Sequence, residues 1–120
     1  MKRSHVLKLA SMAVLVVSMV LVPAHAAVTC QQVTFWLTPC ISYGLMGGIV
    51  APGCCSGIKD LNDAEKTNED VQTACYCIKD QAAKIPGLDY DRVNELPGIC
   101  GTTCPFKLSP SIDCSRVSLT

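Results

Sequence analysis

Nine cysteines, Cys30, Cys40, Cys54, Cys55, Cys75, Cys77, Cys100, Cys104 and Cys114, restrict the fold of this chain more than any other feature of its 120 residues. All nine follow a stretch that reads as an export signal. Lys2, Arg3 and Lys8 make a basic start, an apolar run extends from Leu9 to Val22, and Ala24-His25-Ala26 offers the small-x-small pattern of a cleavage site. The run is roughly 14 residues, short of the ~20 that a membrane span needs. Residues 1–26 are therefore expected to be a signal peptide, and residues 27–120 the mature domain. Export places the cysteines in an oxidising compartment, where such density means a disulfide scaffold. Eight cysteines still allow on the order of a hundred pairings. The adjacent Cys54 and Cys55 tie one turn to two partners. Cys75 and Cys77, about 200° apart on a helix, point to different faces and need separate partners as well.

Removing the leader changes the charge. The zero net charge of the whole chain becomes −3 in the expected product, which keeps seven basic and ten acidic residues. No basic patch is visible that would replace the counterions of a nucleic acid. Both histidines, His5 and His25, fall in the leader. The product then has no Ser-His-Asp or Cys-His nucleophile pair and no histidine-containing zinc site. No two carboxylates stand out as an acid and base pair. The reading is of a protein without catalytic residues, metal or cofactor.

Four helical segments fit the apolar periodicity, and nothing alternates as a strand. Thr29 and Gln32 have capping-box spacing, and Val33, Leu37, Cys40 and Ile41 share a face, with Pro39 expected to bend the helix. Gly44, Gly47, Gly48, Pro52 and Gly53 read as the loop that ends it. A second segment carries Ile58, Leu61 and Ala64. The third opens at Thr67, with Glu69 and Asp70 in its first turn; it buries Val71, Ala74, Cys75, Ile78 and Ala82 and stops at Pro86-Gly87. A fourth is expected from about Asp91 to Leu96, ended by Pro97-Gly98. From Gly101 the chain reads as coil. Ile85, Leu88, Val93, Ile99, Leu108 and Ile112 complete an expected interior without Phe or Trp, although rings usually supply much of a small core. Such stripes ordinarily mean close packing. Cross-links permit a hollow interior without demonstrating one.

The order Cys30-x9-Cys40-x13-Cys54-Cys55-x19-Cys75-x-Cys77-x22-Cys100-x13-Cys114 closely resembles that of the plant non-specific lipid-transfer proteins of type 1. AVTCQQV, PCISY, CCSGIKDLNDAEKT, LPGICG and PFKLSPSIDC extend the likeness over the whole mature chain. The resemblance implies an all-α fold, four helices wrapped by a C-terminal coil around an apolar tunnel. It implies the bridges Cys30–Cys77, Cys40–Cys54, Cys55–Cys100 and Cys75–Cys114. Carried over by position, Val33, Leu37, Ile41, Ile58, Leu61, Ala74, Ile78, Ala82, Ile85, Leu88 and Leu108 should line the tunnel, together with Val71, Cys104 and Phe106. The implied partners are fatty acids, acyl lipids or phospholipids, with transient membrane contact, for a secreted monomer of the cell wall or apoplast. A defence protein or a hydrolase inhibitor is the alternative on the same scaffold.

Three positions depart from the family pattern. Val71 stands where a basic head-group contact is usual, with Lys59 or Lys107 as substitutes. Phe106 replaces a tyrosine and loses a hydroxyl donor. Cys104 is a ninth cysteine where an aliphatic residue is common, expected to be buried toward the tunnel rather than free for an intermolecular bridge.

Overall fold

The computed structural model describes residues 27–119; the expected signal peptide over 1–26 lies outside the described residues. The first helical unit is α1 (Cys30–Leu37), a 3₁₀ turn (Thr38–Cys40) and α2 (Ile41–Met46). Thr29 Oγ1 accepts from the Gln32 N–H at 3.2 Å, and Gln32 Oε1 accepts from the Thr29 N–H at 3.1 Å, so the capping box is present. Pro39 sits at the start of the 3₁₀ turn, where the donor it lacks interrupts the α-helical bonding without ending the helical unit. The unit stops at Gly47, whose φ of 69° favours glycine.

Two punctuation residues play other parts than expected. Gly44 lies inside α2, where an added Cβ would stand 2.6 Å from Leu88 Cδ1. Its role is close approach. Pro52 begins α3 (Pro52–Ala64), in the first turn, where an absent N–H costs nothing. Within α3, Gly57 faces α1 so closely that a Cβ would lie 1.8 Å from the Trp36 carbonyl oxygen.

Helix α4 (Asn68–Ala83) opens with a second capping box, Thr67 Oγ1 accepting from the Asp70 N–H at 3.1 Å and Asp70 Oδ2 accepting from the Thr67 N–H at 3.2 Å. Asp70 also accepts from the N–H groups of Lys66 (2.8 Å) and Val28 (3.4 Å), which fastens the N-terminal segment to the helix. Those donors hold its carboxyl below the usual carboxylate range, against the opposing effect of burial. Helix α5 (Tyr90–Ile99) starts one residue before the sequence expectation and runs through Pro97 to Ile99. Proline removes only one donor, and the chain recovers by hydrogen bonds from Cys100 to Leu96 (2.9 Å) and from Thr102 to Pro97 (2.8 Å). Among the described residues the protein is all-helical, four units followed by coil, with one late 3₁₀ turn (Cys114–Arg116).

Four disulfides join these elements: Cys30–Cys77, Cys40–Cys54, Cys55–Cys100 and Cys75–Cys114. Around them sit two apolar clusters. One gathers Tyr43, Ile58 and Leu96 about Cys40, Cys54 and Cys100. The other gathers Val28, Val33, Leu61 and Ala74 about Cys77, with Trp36 packed half-buried against it. Ile99 was expected inside but is 52% exposed. At that helix end Cys100 takes the inward position, bridged to Cys55, and Ile99 faces out.

The C-terminal coil is held largely by polar side chains from the helices. The Asn94 amide makes two bonds to the Leu108 backbone, donating to its oxygen and accepting from its N–H, both at 2.8 Å. Lys79 Nζ donates to the Ile112 oxygen at 2.9 Å, and Asn62 Nδ2 to Thr102 Oγ1 at 2.8 Å. Gln72 reaches the oxygens of Ser115 and Val117, and Asn68 Oδ1 accepts from Leu119.

Candidate binding cavity

Leu37, Ile41, Ile78 and Val93 from α1, α2, α4 and α5, with Ile85 and Leu88 from the α4–α5 connection, point inward, yet all remain half-buried. Inward-facing aliphatic groups keep accessible surface only when the interior is not filled. Here they surround a cavity of about 750 Å³ between the helices and the coil. That volume falls within the range of roughly 300–1,000 Å³ typical of small-molecule sites. The aromatic rings leave it open. Phe35 is turned to solvent, Tyr43 is buried in the first cluster with its hydroxyl donating to Glu95 at 3.0 Å, and Trp36 packs in the second. Only the Phe106 ring joins the wall, from the coil side.

Of the residues expected to line an apolar tunnel, Val33, Leu37, Ile41, Ile58, Leu61, Ile78, Ala82, Ile85, Leu88, Cys104, Phe106 and Leu108 border this cavity. Val71 and Ala74 do not. Both are fully buried, but they belong to the N-terminal half of α4, where Ala74 packs with Val28, Val33 and Leu61 into a plug. The wall of α4 begins lower down, at Cys77. The departure from a basic residue at position 71 therefore falls beyond the end of the cavity. Of the two lysines suggested as substitutes, Lys107 borders the cavity and Lys59 does not.

Cys104 corrects an expectation. It carries no disulfide and is exposed rather than buried. Its position at the cavity opening leaves surface accessible, while the surrounding wall still pushes the thiol pKa up by desolvation. The Phe106 N–H works the other way, and the nearby Glu65 charge adds to the rise.

Lys107 aside, the polar members of the wall escaped the sequence reading. Asn62, Glu65, Thr102 and Thr103 border the cavity and also line an adjoining recess of about 260 Å³, closed by Pro105 and Leu119. Glu65 follows the last residue of α3, is 9% exposed, and has its carboxyl pKa pushed up to about 7, first by burial and then by the Asp70 charge. Its place among charged α3 residues gave no signal of this, because only the ends of two elements brought together define the recess. Among the described residues, no group of three His, Cys, Asp or Glu side chains is placed to hold a metal ion.

The arrangement is a preformed apolar hollow with one polar end, in a shell cross-linked four times. Known proteins resemble the chain in sequence and fold. A family model described as "Protease inhibitor/seed storage/LTP family" matches residues 30–114. A non-specific lipid-transfer protein of Prunus avium is 47% identical over 96 residues, covering 80% of this chain and 82% of that relative. The solved structure of the hazelnut allergen Cor a 8 is 46% identical, superposes with a TM-score of 0.71, and covers 75% of this chain and 98% of its own. Barley non-specific lipid transfer protein 1, solved in complex with a lysophosphatidylcholine, is 34% identical with a TM-score of 0.72, covering 75% and 99%.

Proposed function

The chain belongs to the non-specific lipid-transfer proteins of that family, and from this premise we propose that it is a secreted carrier of acyl lipids, fatty acids or phospholipids among them. The observation that carries the reading is the open apolar cavity of about 750 Å³. Burial of a sixteen-carbon chain releases about 0.8 kcal/mol per methylene, on the order of 12 kcal/mol in all. Lost freedom of ligand and coil offsets several kcal/mol, leaving a Kd in the micromolar range. A force without direction gives little selectivity among chains, which suits a carrier rather than a catalyst. Val33, Leu37, Ile41, Ile58, Leu61, Ile78, Ala82, Ile85, Leu88 and Leu108 would contact the chain, with Cys104 and Phe106 at the coil. No catalytic residue enters this reading.

Cysteine density and the basic, apolar leader support secretion, to the wall or apoplast; N-terminal sequencing of exported protein should place the new end beside Ala26. The functional test is displacement of a fluorescent acyl probe from the oxidised protein. Saturable micromolar binding, competed by long-chain fatty acids, is expected. Correctly bridged protein that binds no probe would sink the carrier reading.

A further inference from the structure

Glu65 has a position that an ordinary surface carboxylate would not occupy. The residue as a whole is 9% exposed, borders both the cavity and the recess beside it, and accepts no hydrogen bond from the described residues. The ion pairs among the described residues are Lys84–Asp80, Arg92–Asp89 and Arg116–Asp113, all elsewhere. The charged and titratable groups around Glu65 are Asp70 at the start of α4, the Cys104 thiol and Lys107 on the coil, and its chain neighbour Lys66. Lys107 is the cationic member of the cavity wall, yet it forms no pair with Glu65. Asn62 Nδ2 is already committed to Thr102 Oγ1 and to the Thr103 oxygen. Among the described residues no donor meets the Glu65 carboxyl, and because no fully enclosed side-chain oxygen there lacks a partner, its oxygens face the open space of the cavity and recess rather than packed protein.

A carboxyl largely withdrawn from bulk water, open to the cavity and without a protein donor, is poorly solvated, and a donor on a ligand can relieve that. Building on the carrier reading, we infer that Glu65 is the polar anchor of the cavity and selects long-chain ligands headed by a hydrogen-bond donor, an ammonium above all, over those ending in a carboxylate. The alkyl chain lies among Leu37, Ile78 and Leu88, and the head group meets Glu65 beside Thr102 and Thr103. The ionised carboxyl only accepts, so it pairs with an ammonium and repels a carboxylate. The protonated form loses both effects. Its raised titration range puts this change near neutral pH.

The test compares hexadecylamine, hexadecanol and palmitate as competitors for a fluorescent acyl probe, at pH 5.5 and 8.5. At pH 8.5 the oxidised protein should bind the amine roughly tenfold or more tighter than palmitate, with the alcohol between them, as one desolvated charge pair implies. At pH 5.5 the gap should shrink severalfold. Glu65→Gln, checked by circular dichroism and by a count of free thiols, should bring amine and palmitate within about twofold at either pH, while hexadecanol changes little. Equal binding of amine and palmitate by the unsubstituted protein at pH 8.5 overturns the assignment of Glu65 and leaves the carrier reading standing. Preference for palmitate overturns it too and hands the polar end to Lys107. Failure of all three ligands and the probe removes the carrier reading itself.

Discussion

The two walls of the cavity are built by different means. The helical wall is made of α1 to α5, packed through glycine at Gly44 and Gly57 and joined by the Cys30–Cys77, Cys40–Cys54 and Cys55–Cys100 bridges. The coil wall, Thr102 to Leu108, has no regular backbone pairing; Asn62 and Asn94 hold it, and Cys75–Cys114 anchors the tail beyond. Backbone hydrogen bonds and cross-links make the first wall stiff. A few side-chain amides make the second detachable. A container for a long chain needs both, one wall to keep its width and one to let the chain pass.

Breaking the stiff wall should cost most. Gly57→Ala puts a Cβ on the Trp36 carbonyl oxygen and should destabilise by about 3 kcal/mol, read from guanidinium unfolding with disulfides intact. Gly98→Ala, with nothing within 4 Å of the added methyl, is the matched control and should stabilise by a few tenths of a kcal/mol. A similar loss in both variants would mean that the close α1–α3 approach is not what holds the wall. Next comes the coil wall. Asn94→Ala removes both bonds to Leu108 and should cost about 2 kcal/mol, with faster exchange of the Leu108 amide and about tenfold weaker probe binding. Unchanged Leu108 protection would show that the coil does not depend on this amide.

Glu65 gives a smaller and pH-dependent effect. Its folded pKa of about 7 lies above the unfolded value of 4.5, so the native state binds the extra proton between them and stability falls as pH rises through that window. Screening by solvent at the cavity opening reduces the full value to about 1–2 kcal/mol. Glu65→Gln should flatten the slope from pH 5 to 8, and an unchanged urea midpoint profile would contradict the assigned burial. Asp70 acts oppositely at the acid end: its depressed folded pKa contributes stability present above 3.8 and lost as pH falls through the folded value. Smallest is Cys104→Ala. An exposed, unbridged residue should change stability by less than about 0.5 kcal/mol, measured by the same melt.

The stiff wall was far more legible in the sequence than the detachable one. Caps at Thr29 and Thr67 and the apolar period marked the helices, because local hydrogen bonding and helical spacing are written in neighbouring residues. Pro97 misled because a proline near a helix end can be absorbed into the final turn. Periodicity gives the face of a helix but not the depth along it, so Val71 and Ala74 were grouped with Ile78 and Ala82. The bridges came through the family likeness, since spacing leaves the pairing open. Glu65, Asn62 and Asn94 were invisible for another reason: their roles depend on which coil residue lies opposite, and coil has no period to read.

The unfilled interior also bears on how the molecule responds to compression. Proteins unfold under pressure largely because internal voids are lost, and the effect scales with void volume. To the extent that its apolar lining keeps water out, a hollow of about 750 Å³ should make the empty protein soft to hydrostatic pressure despite its four disulfides. An acyl chain seated inside replaces void with matter. The loaded form should then resist pressure in proportion to the volume its cargo occupies, making the cargo a temporary part of the core.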